Sequence, residues 1–130
     1  IVDAAKLEVV AELPSRPFAG RVEIGANGRA VVPNGGSGGP PVPQYLRMFD
    51  VSKRTVVAEV PLHPTPGDGN FGVLVHGNVV FVADPEDHSI RVFNMRNLQE
   101  PPVVLATAHE SPDGIAWSPL RVGILDTGSN

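Results

Sequence analysis

A recurrence at a spacing of 47 residues limits what this chain can fold into. Val9-Val10-Ala11-Glu12-Leu13-Pro14 returns as Val56-Val57-Ala58-Glu59-Val60-Pro61, and more loosely as Val103-Val104-Leu105-Ala106-Thr107, each copy 47 residues after the last. Ile1-Val2-Asp3 maps onto Met48-Phe49-Asp50 at the same shift. A period of this size that spans more than one strand type marks a repeat architecture. The unit is clearest in Val79 to Phe93, VVFVADPEDHSIRVF. Here a β-branched run stops at Asp84-Pro85-Glu86-Asp87, because Asp caps its own backbone and Pro cannot donate to a ladder. Ile90, Val92 and Asn94 then alternate with Arg91 and Phe93 in the period-2 pattern of a second strand.

Gly and Pro supply 28 of the 130 residues and fall between the strand runs, so they read as turns and leave no room for a helix of ten residues or more. Each unit is therefore four short strands, the content of one propeller blade. Lettered A to D from the axis outward, residues 1–13 carry a C and a D strand (Ile1–Asp3, Leu7–Leu13). Residues 20–60 carry a whole blade (Arg21–Ile24, Ala30–Pro33, Tyr45–Asp50, Thr55–Val60), with Asn27-Gly28 as a two-residue turn between its first strands. Residues 71–107 carry a second blade (Phe71–Val75, Val79–Ala83, Ile90–Asn94, Val103–Thr107). Residues 114–126 carry an A and a B strand (Ile115–Ser118, Val122–Leu125). The expected fold is all-β, with three blade equivalents of four antiparallel strands in each chain.

Three blade equivalents do not close a ring, since propellers close with about four to eight. The half-blade missing after Asp126 is the one present at Ile1. Two copies give six blades, so a two-fold homodimer is expected in which the first strands of one chain complete the last strands of the other. The alternative is a piece of a longer propeller chain. The chain opens inside a strand pattern and not on Met, which reads as a processed, trimmed or engineered start.

VFVADPEDHSIRVF resembles the core of NHL and YVTN repeats, and PDGIAWSPLRVGILDTGSN resembles a stretch of the SMP-30/gluconolactonase group. The resemblance implies a β-propeller and slightly favours an extracytoplasmic or secreted location. It does not select an activity, because these families share blade chemistry and differ in function.

Composition narrows the partners. A net charge of −4 argues against nucleic acid, which needs a basic footprint, and no apolar run approaches a membrane-spanning helix. The absence of cysteine excludes disulfides, thiolate metal sites and cysteine nucleophiles. No phosphate-binding glycine loop, G-x-S-x-G elbow or H-E-x-x-H helix is present.

Blade topology gathers the loops SRPFAG, NGGSGGPPVPQ, HPTPGDGN, DPEDHS, HESPDG and DTGSN on one face, which is acidic and carries His63, His88 and His109. The candidate ligand residues there are His63, Asp68, His88, His109, Glu110 and Asp113. Oxygen-rich loops suit calcium, and histidine with carboxylates suits other divalent metals. The gluconolactonase resemblance places Asp113 of SPDG where that group has a metal-binding Asn, and Asp68 lies in the related loop, so these two are the candidate metal ligands. The competing readings are ordinary ones. Loop histidines cap backbone or meet solvent, His88 finishes a turn, and Asn34, Asp84 and Asp126 bind backbone amides in each blade. Trp117 packs between blades, and His76 lies on the opposite face.

Two functions follow. One is a binding or assembly module that forms a ring by homodimerisation and takes a small-molecule or protein ligand on its loop face. The alternative is a divalent-metal-dependent lactonase or esterase of gluconolactonase type.

Overall fold

The strand alternation written in the sequence sets the pairing seen in the computed structural model, which describes residues 1–16, 19–25, 27–35, 43–63, 71–107, 112–118 and 121–126. For residues 112–114, 117 and 121–126 only the backbone is described. The strands are β1 (Val2–Asp3), β2 (Glu8–Val9), β3 (Glu23–Ile24), β4 (Arg29–Asn34), β5 (Tyr45–Asp50), β6 (Thr55–Pro61), β7 (Gly72–His76), β8 (Val79–Asp84), β9 (Ser89–Asn94), β10 (Val103–Ala106), β11 (Pro112–Ser118) and β12 (Arg121–Asp126). There is no helix among the described residues. Two four-stranded antiparallel meanders, β3-β4-β5-β6 and β7-β8-β9-β10, are flanked by the hairpins β1-β2 and β11-β12. The fold is all-β, as expected.

Alternation assigns each meander two faces. In the first, Val31, Met48 and Ala58 line one face and Ala30, Phe49 and Val56 the other, by their cross-strand pairing. A register shift after Met48 leaves Val57 as an extra residue, a bulge in β6. Val31, Leu46, Met48 and Val60 of this meander meet Val73, Val80, Val82 and Phe93 of the second, with Leu62, Met95 and Leu98 closing the ends. Each fully buried aliphatic side chain of this kind contributes roughly 1.5–3 kcal/mol. This single cluster is therefore what holds the two meanders together. Arg29 reinforces it with a 2.9 Å bond from its guanidinium to the Met95 carbonyl.

Two strands are shorter than expected. The 21–24 strand is reduced to Glu23–Ile24 because Pro33 stands where its partner N–H is needed. The Pro33 carbonyl still accepts the Gly20 N–H at 2.8 Å, so pairing resumes only past the proline. The 7–13 strand is reduced to Glu8–Val9, followed by a single bond from the Val10 N–H to the Ile1 carbonyl at 2.9 Å. The Asn27-Gly28 connection is also longer than two residues. Gly25 N–H bonds the Arg29 carbonyl at 2.8 Å and Gly28 takes φ 72°, the glycine position of a bulged hairpin loop. Gly77-Asn78 is a true two-residue turn between His76 and Val79, with Gly77 at φ 59°.

One turn recurs three times. Asp3, Asp50 and Asp84 each end a strand and accept a backbone N–H three residues on, from Lys6, Lys53 and Asp87 respectively. Leu7, Arg54 and His88 follow with φ of 56°, 57° and 51°. The aspartate satisfies the turn donors, and the left-handed residue returns the chain into the next strand.

Among the described residues, the outer faces of the two meanders are only half covered. β11 packs on β7 and β8, leaving Val103 (61% exposed) and Leu105 (50% exposed) open on the outer half of that face. On the first meander the side toward Ala30, Val32 and Phe49 meets Leu13 and Val51, while Ile24 is 64% exposed. A cavity of about 440 Å³ opens there between Ile1, Val2 and Ile24.

Candidate functional site

At the end of the sheets where β6 and β8 finish, the two meanders bring a histidine against three carboxylates. β6 stops at Pro61, but Leu62 N–H bonds the Gln44 carbonyl at 2.9 Å and extends the ladder one step. Leu62 thereby enters the core and carries His63 to the seam between the meanders. Across the seam stands the β8–β9 turn. Asp84, fully buried, accepts the N–H groups of Glu86 at 3.1 Å and Asp87 at 3.2 Å through Oδ1, and Arg91 Nε at 2.8 Å through Oδ2. Arg91 also donates to Asp87.

His63 Nε2 lies 3.2 Å from Asp87 Oδ1, 3.5 Å from Asp84 Oδ2 and 3.8 Å from Glu86 Oε2, with the imidazole 12% exposed. Neither ring nitrogen makes a hydrogen bond within the described residues. Gln44, wholly buried, donates its amide to Glu86 Oε1 at 2.9 Å and holds that carboxylate toward the seam. Three carboxylates against one guanidinium leave an excess of two negative charges beside the imidazole. Chemically the group can accept a cation.

A second ionic group lies on the other face of the first meander, the side of Val32 and Phe49. Arg47, directly opposite Glu59 in the β5–β6 ladder, donates Nε to Glu59 Oε2 at 2.6 Å and NH1 to the Pro14 carbonyl at 2.8 Å. Arg16 adds a 2.9 Å bond to Glu59 Oε1 and lies 4.8 Å from the centre of the Tyr45 ring. The hydrogen bond from Arg16 first, and those from Arg47 after it, hold the Glu59 carboxyl below its ordinary range, while partial burial works against them. Glu59 in turn raises Arg16. This group pins the loop before β3 to the first meander.

Of the six candidate ligand residues named from sequence, His63 is the one the described structure brings into a cluster, and Asp84, expected as a turn residue, joins it. His88 instead takes the left-handed position of the turn, and its carbonyl accepts both the N–H and the hydroxyl of Thr107 at 2.8 Å. Asp113 lies within β11 at a register shift between Pro112 and Gly114, not in the loop ahead of the strand. Its side chain lies outside the described residues, as do those of Asp126 and Trp117, and so do Asp68, His109 and Glu110 altogether. Asp84 binds turn amides as expected. Asn34 departs from that role: its amide, having a donor that a carboxylate lacks, bonds Ser15 Oγ at 3.2 Å and the Arg16 carbonyl at 3.1 Å.

The sequence places Asp87 and the loop that ends at Gln44 on the same face as His63, but it does not point to Arg91 or to the contacts that join these residues. Arg91 was legible only as an alternating strand residue, and Gln44 only as the last residue of a Gly/Pro-rich loop. No protein-family model matches the chain, and no curated protein sequence matches it.

Proposed function

We propose that this chain is an assembly module, half of a six-bladed β-propeller that a second copy closes into a ring, with the loop face left to take a ligand. The observation that carries this reading is the pair of half-covered outer faces. Each four-stranded meander is then a blade, and β11-β12 and β1-β2 are the inner and outer halves of a split one. A hairpin like β1-β2, laid beside β12 of another copy, would cover Val103 and Leu105. A hairpin like β11-β12, laid beside β1, would cover Ile24 and fill the cavity of about 440 Å³. Both junctions pair an edge strand that has no neighbour on that side among the described strands, which removes the aggregation hazard of an open sheet. The two surfaces differ, so the same contact formed twice closes a two-fold ring. The lactonase reading rests on the resemblance of PDGIAWSP and LDTGSN and on the acidic loops, whose candidate metal ligands Asp68 and the Asp113 side chain lie outside the described residues.

Light scattering after size exclusion tests the assembly. The expected mass is twice the chain's 13.7 kDa. A monomer across the micromolar range overturns it.

A further inference from the structure

We infer that His63, Asp84 and Asp87 form a binding site for one divalent transition-metal ion of zinc type, with Glu86 as a fourth donor. All of them belong to one chain, so the inference stands apart from assembly. The His63, Asp84 and Asp87 donor atoms lie within 4.8 Å of one another. The separations from His63 Nε2, 3.2 and 3.5 Å, match the edge of about 3.3 Å of a tetrahedron built on metal–ligand bonds of about 2.0–2.1 Å. Arg91 and the turn amides occupy other lone pairs of Asp84 and orient it, as outer partners of metal ligands do.

Independent evidence comes from side chains around the cluster. Gln44 is wholly buried with its amide nitrogen on Glu86, yet its Oε1 has no partner among the described residues. Ser89, 2% exposed and directly opposite Asp84 in the β8–β9 ladder, has an unpartnered hydroxyl. Within the cluster, His63 Nδ1 makes no hydrogen bond and Nε2 faces only the carboxylate oxygens at 3.2–3.8 Å. Buried polar atoms are nearly always paired, so two orphans at the rim of the cluster, one on a side chain bonded to Glu86 and one on the residue facing Asp84, point to a missing ligand. Charge agrees: Asp84, Glu86 and Asp87 exceed Arg91 by two negative charges, which one divalent ion neutralises. The imidazole selects against calcium and magnesium, which take oxygen donors.

The test is calorimetric titration of chelator-stripped protein with Zn²⁺ alone. One ion per chain is expected, with Co²⁺ giving the visible absorption of a tetrahedral site and Ca²⁺ failing to compete. His63→Ala and Asp87→Asn should each weaken binding at least about 100-fold, and Gln44→Leu about 10-fold. Asp87 is partly exposed, so its variant decides if His63→Ala fails to show the native circular dichroism. No Zn²⁺ uptake, or uptake unchanged in a folded His63→Ala or Asp87→Asn variant, overturns the site.

Discussion

Replacing Glu59 by glutamine tests whether the Arg47–Glu59–Arg16 group stabilises the fold through charge. The substitution keeps the shape and removes the ionised acceptor. Arg47, whose side chain is only 11% exposed, is then left with the Pro14 carbonyl and a neutral amide whose NH₂, itself a donor, cannot accept from a guanidinium. Breaking one side of a fully buried ion pair costs about 3–5 kcal/mol. The Glu59 side chain is 24% exposed, so solvent screens part of this and the expected loss at pH 7 is about 2 kcal/mol.

The sign with pH follows from the lowered Glu59 carboxyl. Its contribution is full above the unfolded value of about 4.3 and fades as pH falls through the lower folded value. Urea unfolding followed by far-ultraviolet circular dichroism, at pH 7 and at pH 3, measures both. The difference between the two proteins should shrink at pH 3. A loss under about 0.5 kcal/mol at pH 7 refutes the argument. So does a loss that stays constant down to pH 3, because packing and not charge would then be responsible.

Three further outcomes follow from the same geometry. Asp84→Ala removes the acceptor of two turn amides and the partner of Arg91 in a fully buried position, and should cost about 3 kcal/mol or more in urea unfolding. Arg54→Gly relieves a non-glycine residue at φ 57° on an exposed turn and should raise stability by about 1 kcal/mol, seen as a higher denaturation midpoint with unchanged slope. Leu105→Glu charges the open face of the second meander. It removes about 1 kcal/mol of further burial from each of two junctions and so weakens assembly about 30-fold by sedimentation, leaving monomer stability within about 0.5 kcal/mol.

Much of the architecture is legible from local pattern because strand periodicity, turn residues and repeats act over a few residues. Asp84-Pro85-Glu86-Asp87 announces its turn, and Val79 to Asp84 announces a strand, from chemistry that needs no distant partner. Boundaries that depend on a neighbour are not legible in this way. β3 is cut short by Pro33, ten residues after Glu23, and only the register between the two strands reveals it.

The candidate site divides on the same line. Sequence determined that His63 follows a strand and that DPEDHS is an acidic turn, since both follow from residue type and local order. Only the tertiary structure decided that they meet, that Gln44 is buried against Glu86, and that Arg91 balances part of the charge. Those contacts join residues 21 to 42 positions apart or lie across a ladder. The packing of one meander on the other places them together, through the core of Val31, Leu46, Val80 and Phe93, whose apolar burial is indifferent to which polar groups it brings face to face at the rim.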